Sequence, residues 1–316
     1  MNYELSRTMN SPNKHILLTG GTGLIGRHLT EQLLQKGYSV SHLSRSVGKD
    51  ARVKTFLWDI DKGEIDEHCI DDADIVVHLA GAGIADKRWT DQRKKELIES
   101  RTKSIGLIYN LLKNKKHHVN AVISASAVGY YGDRGDELMT EDSPPSNDFL
   151  AKCCIAWENA VDEGKAFGLR VVKFRTGVVL DKGGALAKIA QPIKLFVGSP
   201  LGSGKQWVSW IHWQDVACMY QYAIEYENLT GVYNMAAPNP VTSQQLTQAV
   251  AKQLHKPLWL PNVPAFFLKL LLGEMSAIVL GSTKVSSQKI ENAGYRFKYT
   301  DVSSALKEIY GKSESQ

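Results

Sequence analysis

Between residues 15 and about 132 short apolar runs alternate with stretches of helical periodicity, the rhythm of strands and helices taking turns in a parallel sheet. The runs at 16–19, 39–43, 75–80 and 121–125 predict strands, and residues 24–35 and 91–112 predict helices between them. Right-handed crossovers would wind these units onto both faces of one sheet. A further helix over 148–167 leads into a strand at 170–174. The rhythm then breaks: residues 181–213 are rich in Gly and Trp, and proline-punctuated helices follow near 243–255 and 264–272. The expected fold class is α/β, a doubly wound parallel sheet over residues 14–180 with later segments returning to it. A smaller C-terminal α/β lobe over 181–316 is expected beside the sheet's carboxyl edge, on the substrate side. Residues 1–13 read as a flexible extension.

A chain of 316 residues buries a full core without disulfide or metal staples, and its 43% hydrophobic and 22% charged content is that of a globular protein. The net charge of +5, from 38 basic and 33 acidic residues, is too slight to indicate nucleic acid, and no basic stripe with interleaved aromatics occurs. Cys69, Cys153, Cys154 and Cys218 show neither metal-ligand spacing nor a disulfide framework, which fits a reducing, cytoplasmic or organelle-matrix compartment and no metal. Residues 263–281 are the most apolar late segment, but Lys269 and Glu274 inside it make a poor membrane span. A core or interface helix is expected there, with contact to a membrane surface as the alternative. No membrane partner is expected.

The run Thr19-Gly20-Gly21-Thr22-Gly23-Leu24-Ile25-Gly26 lies between a predicted strand and a predicted helix. In that context Gly20 permits a tight turn, Gly23 lets a pyrophosphate approach the backbone, and Gly26 lets helix pack on strand. The phosphates would sit on the unpaired amides of the helix beginning at Leu24 and Ile25. The second strand ends in Ser44-Arg45, where an NAD site would place an acidic residue for the ribose. A guanidinium and a hydroxyl there suit a 2′-phosphate, so the expected cofactor is NADP(H); a solvated loop cation is the plainer reading of Arg45.

These glycines, with His78-Leu79-Ala80-Gly81 and Ser124-Ala125-Ser126 at later strand ends, resemble the extended short-chain dehydrogenase/reductases, whose fold is the Rossmann arrangement. Lys87-Arg88-Trp89, Glu99-Ser100-Arg101, the run 124–132 and the run 202–212 are similar to an atypical, epimerase-like branch. The stretches 281–287 and 294–297 resemble that branch's C-terminal domain of unknown function. The resemblance implies that Leu79, Ala80 and Gly81 line the adenosine and ribose. It places Arg101 where the wider family has an asparagine, within reach of cofactor or an anionic substrate, and passes the backbone at Val178 close to the nicotinamide. It also exposes a departure. Where the family carries a Tyr-x-x-x-Lys acid–base pair, this chain has Leu150 and Cys154, and Lys152 points elsewhere on the helix.

Ser126 matches the family's strand-end hydroxyl and is the first substrate-side candidate. Either Tyr130 or Tyr131 can in principle replace the missing proton donor, although a phenol without an adjacent cation is a slow acid–base catalyst. The aromatic-rich stretch from Trp207 through Trp210, Ile211, His212 and Trp213 offers ring faces for a substrate, or core. Two functions compete: an NADP(H)-dependent oxidoreductase or epimerase acting on a small polar molecule, and a nucleotide-binding regulatory or scaffold protein that has lost turnover. The oligomeric state is not readable from the sequence.

Overall fold

Alternate side chains of each apolar run enter opposite hydrophobic layers, which is what buries a sheet on both faces. The computed structural model describes residues 14–311; the expected extension over 1–13 lies outside the described residues. Strands β1 (His15–Thr19), β2 (Ser39–Ser44), β3 (Lys54–Asp59), β4 (Glu64–Ile65), β5 (Ile75–His78) and β6 (Ala121–Ala127) are followed by the short β7 (Leu138–Met139). Then come β8 (Arg170–Thr176), β9 (Val178–Leu180), β10 (Trp207–Val208), β11 (Trp210–His212), β12 (Gly231–Met235), β13 (Val241–Thr242) and β14 (Lys284–Val285). The main sheet runs β12-β8-β6-β5-β1-β2-β3-β4 and is parallel except for β4, which turns back antiparallel on β3.

Ile16 and Leu18 pack with Leu29 and Leu33 of α1 (Leu24–Gln35), whereas Leu17 packs in the layer of Ile105 and Ile108 of α2 (Asp91–Asn114). Trp157 and Val161 of α3 (Phe149–Asp162) extend the second layer. Beyond residue 180, α4 (Gly184–Lys194) is followed by α5 (Trp213–Glu225), which returns to the first sheet layer through Val216 and Tyr220. The smaller lobe's own core joins α4, α6 (Ser243–Gln253) and the last helix through Leu186, Leu246 and Leu306. The remaining helices are α7 (Ala265–Leu272), α8 (Ala277–Leu280), α9 (Gln288–Asn292) and α10 (Val302–Tyr310).

Three departures from the sequence pattern have local causes. The strand expected over 75–80 stops at His78, because the Leu79 and Ala80 amides turn to donate to Thr19 Oγ1 at 3.1 and 3.0 Å. Strand β3 is not expected from the pattern: Leu57 faces out at 46% exposure between buried Phe56 and Trp58, so its alternation is masked by three apolar residues in a row. The apolar segment 263–281 is not a core helix. It breaks at Gly273, with φ of +60°, and α7 buries only Leu268. Among the described residues no helix is long and apolar enough to cross a membrane.

Candidate cofactor and active site

The strand order reverses between β1 and β5: β2 and β3 lie on one side of β1, and β5, β6, β8 and β12 on the other. The carboxyl ends of strands at such a reversal are the place where open α/β sheets bind ligands. The glycine run follows β1 and Leu79-Ala80-Gly81 follows β5, so the structure brings both predicted cofactor segments to this point. Thr19, buried, ties them together through its two accepted hydrogen bonds.

Gly20 adopts φ of +69°, and a Cβ there would stand 2.9 Å from the Leu79 carbonyl. A Cβ on Gly26 would collide with the Gly20 carbonyl oxygen, so α1 can approach the loop this closely only without one. Gly23 is the N-cap of α1, no side chain closes that end, and no acidic residue occupies the first turn. The first amides of α1, at Leu24, Ile25 and Gly26, therefore form an anion-accepting end. The second lobe reaches the same place, with Gly183 and Gly184 against the Leu24 side chain and Asp181 Oδ2 3.1 Å from His28 Nε2.

Ser44 ends β2, and the exposed Arg45 is in no ion pair among the described residues. The Glu96 carboxyl is held below its ordinary value by a hydrogen bond from Arg93 and by the charges of Lys87 and Arg45. Arg93 is buried and committed to Glu96 at 2.6 Å and to the Gly83 carbonyl at 2.7 Å, which leaves Lys87 and Arg45 as the further cations whose charge Glu96 senses. Lys87 belongs to a stretch that carries the family resemblance, but nothing in the sequence gives it or Arg93 a place at the site.

Ser126 and Arg175 are register partners on β6 and β8, and their side chains meet one buried carboxylate. The Ser126 hydroxyl donates to Glu158 Oε1 at 2.7 Å, while Arg175 forks onto the same group, Nε to Oε1 at 2.8 Å and Nη2 to Oε2 at 3.0 Å. Arg175 Nη1 donates to Tyr131 Oη at 3.0 Å and to the Glu141 carbonyl at 3.1 Å. Tyr131 in turn donates to Asn234 Oδ1 at 2.7 Å. Tyr131 is wholly buried and burial pushes its phenol up to about 12, so its hydroxyl faces this network and no substrate. Tyr130 differs. It is half-buried in the turn after β6, and the Arg175 guanidinium carbon lies 3.4 Å from its ring centroid.

Leu150 and Cys154, the residues at the family's acid–base positions, face this same turn. Leu150 packs on Gly129, and the Cys154 thiol lies 3.6 Å from the Ala127 carbonyl oxygen, with burial pushing it up to about 12. Arg101 braces the loop after β5: it donates to the carbonyls of Leu97 and Ala82, lies beneath Gly81, and sits 4.9 Å over the Trp157 ring. Val178 begins β9, its amide on the Ser209 carbonyl, beside the carboxyl end of β8. The aromatic stretch supplies mostly core: Trp210 and His212 are fully buried, and Trp213 stacks on His28. His78 is also core, pushed down to about 3 by burial and then by Arg101, between Ser104 and Ser124.

The signature of the NAD dependent epimerase/dehydratase family matches residues 16–236. The chain belongs to this family. A second signature, the domain of unknown function DUF1731, covers residues 263–309 of this epimerase-family chain, which makes it an atypical extended short-chain dehydrogenase/reductase with that C-terminal domain. It is 37% identical over 297 residues to the epimerase family protein YfhF of Bacillus subtilis, covering 93% of this chain and 97% of that one. It is 37% identical over 301 residues to the chloroplastic SDR39U1 homolog of Arabidopsis thaliana, covering 93% and 86%. Human epimerase family protein SDR39U1, solved with NADPH, superposes with a TM-score of 0.83 at 29% identity, over 94% of this chain and 99% of that one.

Proposed function

We propose that this epimerase-family chain is an NADP(H)-dependent oxidoreductase or epimerase that acts on a small polar molecule in a reducing, cytoplasmic setting, with Tyr130 as its proton-transfer group. The observation that carries the reading is the Arg175 guanidinium held against the Tyr130 ring. The family's usual pair sets a lysine cation beside a tyrosine; here a fixed guanidinium on the ring face takes the lysine's part. The fork onto Glu158 keeps that cation fixed on the ring face and unable to swing away.

The residues present fit a dinucleotide. The left-handed turn at Gly20, the bare cap at Gly23 and the amides of Leu24, Ile25 and Gly26 suit a pyrophosphate. Ser44 and the exposed Arg45 suit a 2′-phosphate, with Lys87 adding positive charge nearby, in keeping with the NADPH in the human relative. Leu79, Ala80 and Gly81 would line the adenosine ribose, with Arg101 holding their loop from behind, and the backbone at Val178 would border the nicotinamide. The nicotinamide, when bound, supplies or accepts hydride. Everything else falls to this chain's own groups. Ser126, its proton committed to Glu158, offers lone pairs to a substrate hydroxyl, and Glu158 fixes both the serine and the arginine. Tyr130 gives the proton to, or takes it from, the substrate oxygen.

The test is a screen of carbonyl compounds and nucleotide sugars with NADPH, followed by single variants on any substrate found. Tyr130→Phe should lower kcat by about 10²- to 10⁴-fold with NADPH affinity unchanged. Arg175→Lys, which keeps a cation, should recover part of the activity that Arg175→Met loses. Full turnover in Tyr130→Phe would refute the assignment. Tight NADPH binding with no turnover on any compound would favour the regulatory reading instead.

A further inference from the structure

Two segments of the second lobe lie side by side and, among the described residues, leave large apolar side chains uncovered. The loop after α4 presents Phe196, and the segment from Trp259 through α7 presents Phe266, Phe267, Leu270 and Leu271. Phe266 and Leu270 are 72% and 75% exposed, and Trp259 is 66% exposed. Hydrogen bonds hold the two segments together: the Trp259 indole donates to the Phe196 carbonyl at 2.9 Å, Ser199 to the Pro261 carbonyl, and the Val263 and Gly202 amides to the Pro200 and Val263 carbonyls. Phe196 itself is held at φ of +62°, a backbone angle rare for a bulky residue, with its ring left half outside. Single exposed apolar residues need no explanation, but four large exposed ones on an eight-residue helix, beside a segment that exposes Phe196 and Trp259, do.

Charge within the two segments is of one sign, and the carboxylate that follows α7, Glu274, is paired with Lys94. Residues 182–205 and 243–272 contain seven lysines and no Asp or Glu. Lys256 Nζ lies 3.9 Å from the Phe196 ring centroid, and Lys194 and Lys269 are exposed immediately beside the apolar residues. A second copy of the chain docking face to face would set these lysines against their equals with no carboxylate in either segment to pair them. An anionic lipid surface meets both features. Phe and Leu side chains enter the acyl boundary, the Trp259 ring suits the headgroup level, and lysines reach up to lipid phosphates and carboxylates. Helix α7, at eight residues, is too short to span a bilayer and would lie along it.

We propose that this face docks the protein on an anionic membrane surface, reversing the expectation of no membrane partner. The experiment is co-sedimentation of the full chain with vesicles of phosphatidylcholine alone or with about 30% phosphatidylserine. Binding is expected to the mixed vesicles and to fall by about tenfold or more in two variants, F266S/L270S and K194E/K256E/K269E. Both variants alter exposed or half-buried side chains far in sequence from the glycine run, so unchanged NADPH affinity reports that the fold is kept. The blue shift of tryptophan emission on binding should shrink in Trp259→Phe. Failure of the parent to bind mixed vesicles overturns the proposal, as does binding that survives both variants. A dimer in sedimentation equilibrium that F266S/L270S dissolves would give the face to a second copy instead.

Discussion

Replacing Arg175 with Met removes the only guanidinium on the Glu158 carboxylate among the described residues. What remains is the Ser126 hydroxyl at 2.7 Å and the Lys173 ammonium at 3.7 Å, beyond hydrogen-bonding distance and already donating to Asp162 at 2.7 Å. Glu158 is 6% exposed, so water does not take the guanidinium's place. Breaking a buried pair by removing one partner costs about 3–5 kcal/mol, chiefly because the other charge stays behind. At about 2 °C per kcal/mol for a chain of this size, the midpoint of thermal unfolding should fall by about 6–10 °C. The double variant Arg175→Met with Glu158→Gln leaves no orphan charge and should recover a large part of that loss, a positive coupling readable from a double-mutant cycle in urea. Acidity supplies an independent check. In the single variant the buried carboxyl keeps only Lys173, at 3.7 Å and shared with Asp162, as a nearby cation, so it is expected to bind its proton more tightly than in the parent, with a penalty that is full at neutral pH and shrinks as pH falls toward the unfolded value near 4.3. The gap between parent and Arg175→Met should therefore narrow from pH 7 to pH 5. Equal stability of parent and single variant, or a double variant no better than the single, would show that the fork does not hold this site together.

Arg45→Asp should cut the preference for NADPH over NADH by at least about tenfold, the 1.4 kcal/mol of one charge-assisted contact, measured by titrating each cofactor. Gly23→Val should abolish cofactor binding while leaving circular dichroism unchanged, because the side chain projects from the bare cap of α1 where a phosphate would sit; normal binding would make the loop a mere turn. His78, pushed down to about 3 in the folded protein, stays neutral there while the unfolded chain protonates near 6.5. Stability should thus fall as pH drops from 6.5 toward 3, with a slope about one proton steeper than in His78→Gln, and parallel slopes in urea titrations would contradict this.

The dinucleotide half is legible in the sequence because its signals are local. Residues 24–35 carry the periodicity of the helix that forms, and the glycines stand between β1 and α1 where each does a separate steric task. The proton-transfer network is not legible in the same way, because its members come from β6, β8, α3 and the turn after β6, and only the register pairing of Ser126 with Arg175 joins them. One signal does exist. The strand Arg170–Thr176 sets Lys173 and Arg175 among apolar residues, and Glu158 lies on the packed face of α3. Charges at core positions call for partners, and that rule links the three from their positions along the chain. The sequence leaves Tyr130 and Tyr131 equivalent. Burial separates them, since adjacent side chains in a tight turn point different ways. For the apolar segment 263–281 the sequence leaves core, interface and membrane contact open, and the break at Gly273 with only Leu268 of α7 turned inward decides against the core.

The antiparallel return of β4 onto β3 bears on how the protein behaves in a crowded solution. A parallel sheet of this kind ends in a strand whose outer amides and carbonyls are a template for another chain's backbone. Here β4 covers Trp58 and Asp59 with two residues only, Glu64 and Ile65, and brings a charged side chain to the rim. A growing aggregate thus meets a stub too short to seed pairing. Loosening that hairpin is therefore expected to turn a well-behaved protein into one that associates through its β3 edge, without any change at the carboxyl ends of β1 and β5.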